Sequence, residues 1–201
     1  MQLFLNILVG SVIQILVVGI IPFIWWLVAA RKKVNFLTWI GLKKFTRIKK
    51  VSTNAIIPTI LFILLSLYIL MISKDIETAT SQFRGFGASG IAAVILYSFV
   101  QTSFTEEVFF RGFLLKRIAA KFGFYAGNIV QSILFALLHC VMFLSSTGVL
   151  NLVIITLFTG IIAFLFGIVN EKAAEGSILP SWCIHGISNL IPSLLALFSV
   201  L

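Results

Sequence analysis

The sequence predicts an all-α polytopic membrane protein, a helical bundle of about six transmembrane helices, and three observations carry that expectation. Of its 201 residues 60% are hydrophobic and 10% charged, with a mean hydropathy of +1.15, whereas a soluble domain has about 45–50% apolar and about 25% charged residues. The apolar residues form runs of about 17–25 or more, the length that crosses a hydrocarbon core. Nearly all charges lie between the runs. The acidic, basic and histidine residues inside them are Glu106, Glu107, Arg111, His139 and His185, and such intramembrane groups usually mark a function.

Taking the elements in order, residues 1–30 carry no charged side chain and read as a span, with Pro22 a point where it can kink. A cleaved signal peptide is not expected, because no positive charge precedes the run and the run is too long for one. Residues 31–50 hold Arg31, Lys32, Lys33, Lys43, Lys44, Arg47, Lys49 and Lys50 and no acid. A second span covers 56–72. A polar stretch rich in Ser, Thr and Gly follows at 74–90, carrying Lys74, Asp75, Glu77 and Arg84. Further spans are expected at 91–115, 124–144, 149–169 and 178–201, without internal repeat. The chain thus divides into an N-terminal membrane region over 1–90, with a basic loop at 31–50 and a polar external loop at 74–90, and a catalytic membrane domain over 91–201.

Basic residues in short loops set orientation. With 31–50 on the cytoplasmic side, all but Lys74 and Arg84 of the 15 Lys and Arg residues fall on that side, and the N-terminus lies outside. The expected location is a cell membrane of the bacterial plasma-membrane kind. The net charge of +9 is then a topology signal and not a nucleic-acid footprint. Residues 43–50 also offer a surface for anionic lipid.

Depth and facing bring the polar residues together. With cytoplasmic boundaries near Lys116, Gly127 and Ser177, residues Glu106, His139, His185 and Asn189 lie about 15, 18, 12 and 18 Å deep at about 1.5 Å per residue. Asn128, Ser132, Phe135 and His139 share one helix side, and Ser181, His185, Asn189 and Ser193 share another. Glu106 and Glu107 point about 100° apart. Glu107 and Arg111, at i and i+4 in the favourable order, pair with each other and leave Glu106 free. Cys140 and Cys183 point away from the histidine faces and read as core packing.

Three helices thus present catalytic residues near the membrane midplane: a carboxylate, two imidazoles and a carboxamide. This set suits attack of water on a carbonyl, with a carboxylate as base and donors for the oxyanion. No GxSxG motif is present, so direct water attack is expected over an acyl-enzyme.

Glu106-Glu107-Val108-Phe109-Phe110-Arg111 fits EExxxR, Phe135-Ala136-Leu137-Leu138-His139 fits FxxxH, and His185-Gly186-Ile187-Ser188-Asn189 fits HxxxN. In this order the three resemble the CPBP family of intramembrane glutamic endopeptidases, which includes type II CAAX prenyl endopeptidases and bacteriocin-processing and self-immunity proteins. The resemblance covers 91–189. It implies that Glu106 activates water with help from His139, that His185 and Asn189 form the oxyanion site, that Glu107 and Arg111 hold the helix in shape, and that Phe135 packs near the substrate. It further implies a cavity open toward the cytoplasm or the bilayer, no cofactor, and a membrane peptide or lipidated-protein substrate, prenylated or a bacteriocin or signalling-peptide precursor.

Two other readings use the same residues. One is a zinc hydrolase with Glu106, His139 and His185 as ligands, although HExxH is absent and Asn189 is a better oxyanion donor than ligand. The other is a non-catalytic immunity or transport protein that uses the Glu/His set for binding or proton coupling.

The topology is open to direct measurement. A cysteine placed within 43–50 should be shielded from an impermeant thiol reagent in intact cells, and one near Thr78 should react. The opposite pattern inverts the orientation.

Overall fold

The computed structural model describes residues 1–72 and 79–200; Lys74, Asp75, Glu77 and the labelling position Thr78 lie outside the described residues. The described chain is helical and without strands. The helices are α1 Gln2–Ala29, α2 Phe36–Trp39, α3 Ile48–Ile72, α4 Gly87–Phe122, α5 Phe124–Phe143, α6 Val149–Ala173 and α7 Leu179–Leu197. Among them α1, α3, α4, α5 and α6 are long and apolar enough to cross a membrane. The remaining expected span corresponds to α7, which is long enough but less apolar because it carries Ser181, His185, Ser188, Asn189 and Ser193. All of these but Asn189 are buried against other helices.

This is the all-α bundle that composition predicts, and its outward faces are what a hydrocarbon solvent selects. On α1 the residues Val9, Val12, Ile13, Leu16, Val17 and Ile20 are exposed, while Ile7 and Ser11 are buried. The centre of the bundle is α4, which packs against α1, α5 and α7.

The helix boundaries differ from the expected ones mainly at the basic side. The expected connection at 116–121 is helical: α4 continues to Phe122 and stops at Gly123, whose φ of +84° an L side chain rarely adopts. Its basic side chains stay compatible with a helix end because they find polar or aromatic partners there. Lys116 Nζ is ion-paired with Glu171 and donates to Gly176 O at 2.8 Å, and the Arg117 guanidinium lies 3.8 Å from the Trp39 ring centroid. Likewise α3 begins at Ile48, so Lys49 and Lys50 of the expected loop belong to its first turn.

The basic loop is itself ordered. Asn35 caps α2 by accepting from Thr38 N at 2.9 Å. Ile178 N donates to Gly41 O at 2.9 Å, and Ser177 Oγ donates to Lys43 O at 2.6 Å, fastening the loop to the α6–α7 connection. Close backbone approach makes this possible, since a Cβ built on Gly112 of α4 would lie 2.6 Å from Ile40 O.

Replacing Gly112 with Ala therefore drives a methyl into the α2–α4 contact and should destabilise by about 1–3 kcal/mol, the usual cost of overpacking. A thermal melt in detergent reads this directly; an unchanged melting temperature would mean that the α2 segment gives way freely.

Candidate active site

The site is built around a change of winding in α4. Tyr97–Phe104 and Val108–Leu115 adopt wide π-type turns on either side of the short α-helical stretch Thr105–Glu107. Such turns are rare and recur at functional sites. Hydroxyls follow the widened ladder: Ser103 Oγ donates to Ser98 O at 2.6 Å and Thr102 Oγ1 to Tyr97 O at 3.1 Å, each five residues back.

From the stretch between the wide turns, the adjacent glutamates enter different surroundings. The Glu106 side chain lines a cavity and is 21% exposed, whereas that of Glu107 is fully buried. Three groups surround the Glu107 carboxylate. Arg111 Nη1 lies 3.1 Å from Oε1, Ser181 Oγ donates to Oε2 at 2.5 Å, and His185 Nδ1 lies 3.1 Å from Oε1. Asn170 Nδ2 donates to Ser181 Oγ at 2.7 Å, which extends the cluster into α6. The Arg111 guanidinium is in charge contact with Glu107 but out of hydrogen-bond alignment. It lies instead 4.2 Å from the Phe135 ring centroid and 5.4 Å from that of Phe166, so aromatic faces supply part of its solvation.

These contacts assign ring nitrogens. Because a carboxylate oxygen only accepts, His185 Nδ1 is the donor toward Glu107, and its Nε2 lies 3.7 Å from Glu106 Oε2. His139 Nδ1 lies 3.0 Å from Phe135 O, one turn back, so Nδ1 carries its hydrogen and Nε2 its lone pair. Asn189 Nδ2 donates to Thr102 Oγ1 at 3.0 Å and to Ser103 Oγ at 3.2 Å.

Glu106, Phe135, His139, His185 and Asn189 all line one cavity of about 210 Å³. Glu107 and Arg111 lie behind it. The expected residues thus fall into a set facing the cavity and a buried pair in contact with two members of that set, His185 and Phe135. The cavity extends along the half of the bundle away from the basic loop, past Leu65 and Ile69 of α3 and Phe143 of α5, to Ala79 and Arg84. With 31–50 in the cytoplasm, this end is the external one, so of the two openings that the resemblance implies, toward the cytoplasm or the bilayer, the cytoplasmic one is not the direction in which this cavity extends. Among the described residues no group of three His, Cys, Asp or Glu side chains is arranged to hold a metal ion.

Some participants were not expected. Thr102 and Ser103 precede Glu106 by four and three residues, the spacing that shares a helix side, so a polar stripe through Ser98, Thr102 and Glu106 was a readable signal. Phe62, whose ring centroid is 5.0 Å from that of His185, gave none, being one phenylalanine in an apolar helix. Cys140 is partly exposed, and Cys183 lies on the exposed face of α7 and not in the core, as its position about 200° from His185 on a helix requires once His185 faces inward.

A family model described as type II CAAX prenyl endopeptidase Rce1-like matches residues 88–191, a segment that contains all of the motif residues. No curated protein and no solved structure matches the chain.

The buried cluster predicts a separation of stability from activity. Glu107→Ala strands Arg111 without its counter-charge and should cost about 3–5 kcal/mol. Adding Arg111→Ala should restore much of the lost melting temperature in detergent, yet leave peptide cleavage impaired, because His185 Nδ1 still lacks its acceptor. Additive losses in melting temperature would argue against the pair, and full cleavage by the double variant would limit Glu107 to stability.

Proposed function

This chain belongs to the Rce1-like type II CAAX prenyl endopeptidase family, and from that premise we propose that it hydrolyses a peptide bond of a membrane-associated or lipidated substrate with water activated by Glu106. Membership makes it a multi-pass membrane protease of CAAX type, with a peptide or protein substrate in the membrane. The observation that supports the glutamate reading is the division of labour between neighbours. Glu107 is committed to Arg111, Ser181 and His185, while Glu106 Oε2 makes no hydrogen bond with the described residues and its side chain lines the cavity.

In this reading a water held between Glu106 and His139 Nε2 attacks the scissile carbonyl carbon. Glu106 takes one of its protons and returns it to the departing nitrogen as the C–N bond breaks. His139 is oriented for this by the hydrogen bond of Nδ1 to Phe135 O. The developing oxyanion is met by His185 Nε2–H, in the doubly protonated ring whose Nδ1–H stays on Glu107. Asn189 joins by releasing Thr102 or Ser103. Glu107 and Arg111 position His185, and Phe135 packs beside the substrate while covering Arg111.

The proposed setting is a bacterial plasma membrane with 31–50 in the cytoplasm. The substrate is a prenylated protein or a bacteriocin or signalling-peptide precursor. No cofactor takes part.

Comparing peptides released by cells with and without the protein identifies the substrate, and the purified enzyme then tests the base. Glu106→Gln should fold and insert normally and lose at least about 10²–10⁴-fold in kcat, the usual contribution of general acid–base catalysis. Substantial cleavage by a well-folded Glu106→Gln protein would overturn the mechanism. A cellular phenotype kept by Glu106→Gln would favour the binding or transport reading. Loss of activity on chelation, restored by zinc, would favour the metal reading.

A further inference from the structure

Charge is unevenly distributed along the cavity. At its inner end Glu106 faces the lumen, while the neighbouring Glu107 and Arg111 offset each other behind it. The walls beyond are mostly apolar, with Leu65, Ile69 and Leu70 of α3, Met142 and Phe143 of α5 and Ala196 of α7, although Ser66 and Tyr97 also line them. At the far end stands Arg84, the one lysine or arginine among the described residues that line the cavity. It is exposed, and no carboxylate among the described residues pairs with it.

The backbone that carries Arg84 is anchored. Phe83 is fully buried and meets Tyr97 of α4 edge-on, with ring centroids 5.1 Å apart. Arg84 N donates to Ser81 O at 3.1 Å, and Gly85 follows at φ +81°, a conformation that turns the chain and that other residues rarely adopt. A fixed main chain thus presents, at the mouth of a mostly apolar cavity, a guanidinium that no carboxylate among the described residues pairs with.

We propose that Arg84 is a specificity residue of this protease that takes a carboxylate of the substrate peptide, either its C-terminus or an Asp or Glu side chain. The proposal rests on Glu106 being the hydrolytic carboxylate. An anionic group close to Glu106 is repelled, so a substrate carboxylate is favourable only at the end where the cation stands, and low-dielectric walls strengthen both effects. A guanidinium binds a carboxylate through two parallel hydrogen bonds.

Arg84 lies outside the matched segment 88–191, so its role is a feature of this chain beyond the family match.

The test measures binding apart from cleavage. Glu106→Gln protein in neutral-lipid nanodiscs is titrated with a fluorescent peptide ending in an apolar segment, made with a free C-terminal carboxylate, with a C-terminal amide, or as the amide with Asp at the last position. At least one carboxylate form should bind roughly tenfold or more tightly than the plain amide, as a charge-assisted hydrogen bond implies. Arg84→Ala should remove that difference, Arg84→Lys should keep part of it, and Arg84→Glu should reverse it toward a Lys-ended amide. Preference for the free acid alone assigns the C-terminus; preference for the Asp form assigns a side chain. Equal weakening of all peptides by Arg84→Ala, or no preference in its presence, overturns the proposal. The same peptides given to the enzyme with Glu106 intact address the hydrolytic reading separately: Arg84-dependent binding without cleavage would sink that reading and leave the carboxylate site standing.

Discussion

A carboxylate and a guanidinium buried together in a membrane bundle, Glu107 and Arg111, constrain everything around them. Each ion costs several kcal/mol to remove from water, and mutual attraction offsets this only with good supporting contacts. The support comes from three other helices: Ser181 and His185 of α7 on the carboxylate, Phe135 of α5 and Phe166 of α6 on the guanidinium, and Asn170 of α6 behind Ser181. None of these helices can slide or rotate without uncovering a charge. The positions of His185 and of the Phe135–His139 turn are thus consequences of solvating an ion pair, and the cavity-facing groups inherit their geometry from it.

The wide turns of α4 extend the same logic along one helix. An α-helix separates successive side chains by about 100°, enough to send Glu106 and Glu107 apart. The hydroxyls of Thr102 and Ser103 both meet Asn189, from the π-type turn that precedes the glutamates. They are in turn anchored to carbonyls five residues back, so the polar groups facing α7 are satisfied from within the widened ladder. A carboxamide in hydrocarbon needs partners of this kind.

Much of this was legible in the sequence because intramembrane polar residues are few and each must point inward. The spacing of Glu107 and Arg111 specified their pairing, and the stripes through Ser132 and His139 and through Ser181, His185 and Asn189 specified inward faces. What stayed hidden depends on partners distant in sequence or on backbone detail. Nothing about Glu107 alone shows that its second role is to hold His185. Nothing in an apolar run marks Phe62 as the residue beside that imidazole, or separates a π-type turn from an α-helical one. The helix ends at 116–122 were misjudged for a related reason. A cluster of Lys and Arg reads as a loop, but with Glu171, Gly176 O and Trp39 within reach the helix can run on.

The two ends of the bundle therefore do different work. At the basic end some of the charges hold segments together: Lys116 with Glu171, Arg117 over Trp39, and Arg47 and Thr46 with Glu175. At the opposite end few charges stand among the described residues, and Arg84 is the one lysine or arginine of these that lines the cavity. On the proposed reading, an extended apolar peptide entering that mouth passes mostly apolar walls before it reaches the level of Asn189, His185 and Glu106. On that reading polar interactions are concentrated where a bond is to be broken, and hydrocarbon-like packing does the rest of the binding, which is the arrangement a membrane-embedded hydrolase requires if its own helices are to remain stable in lipid.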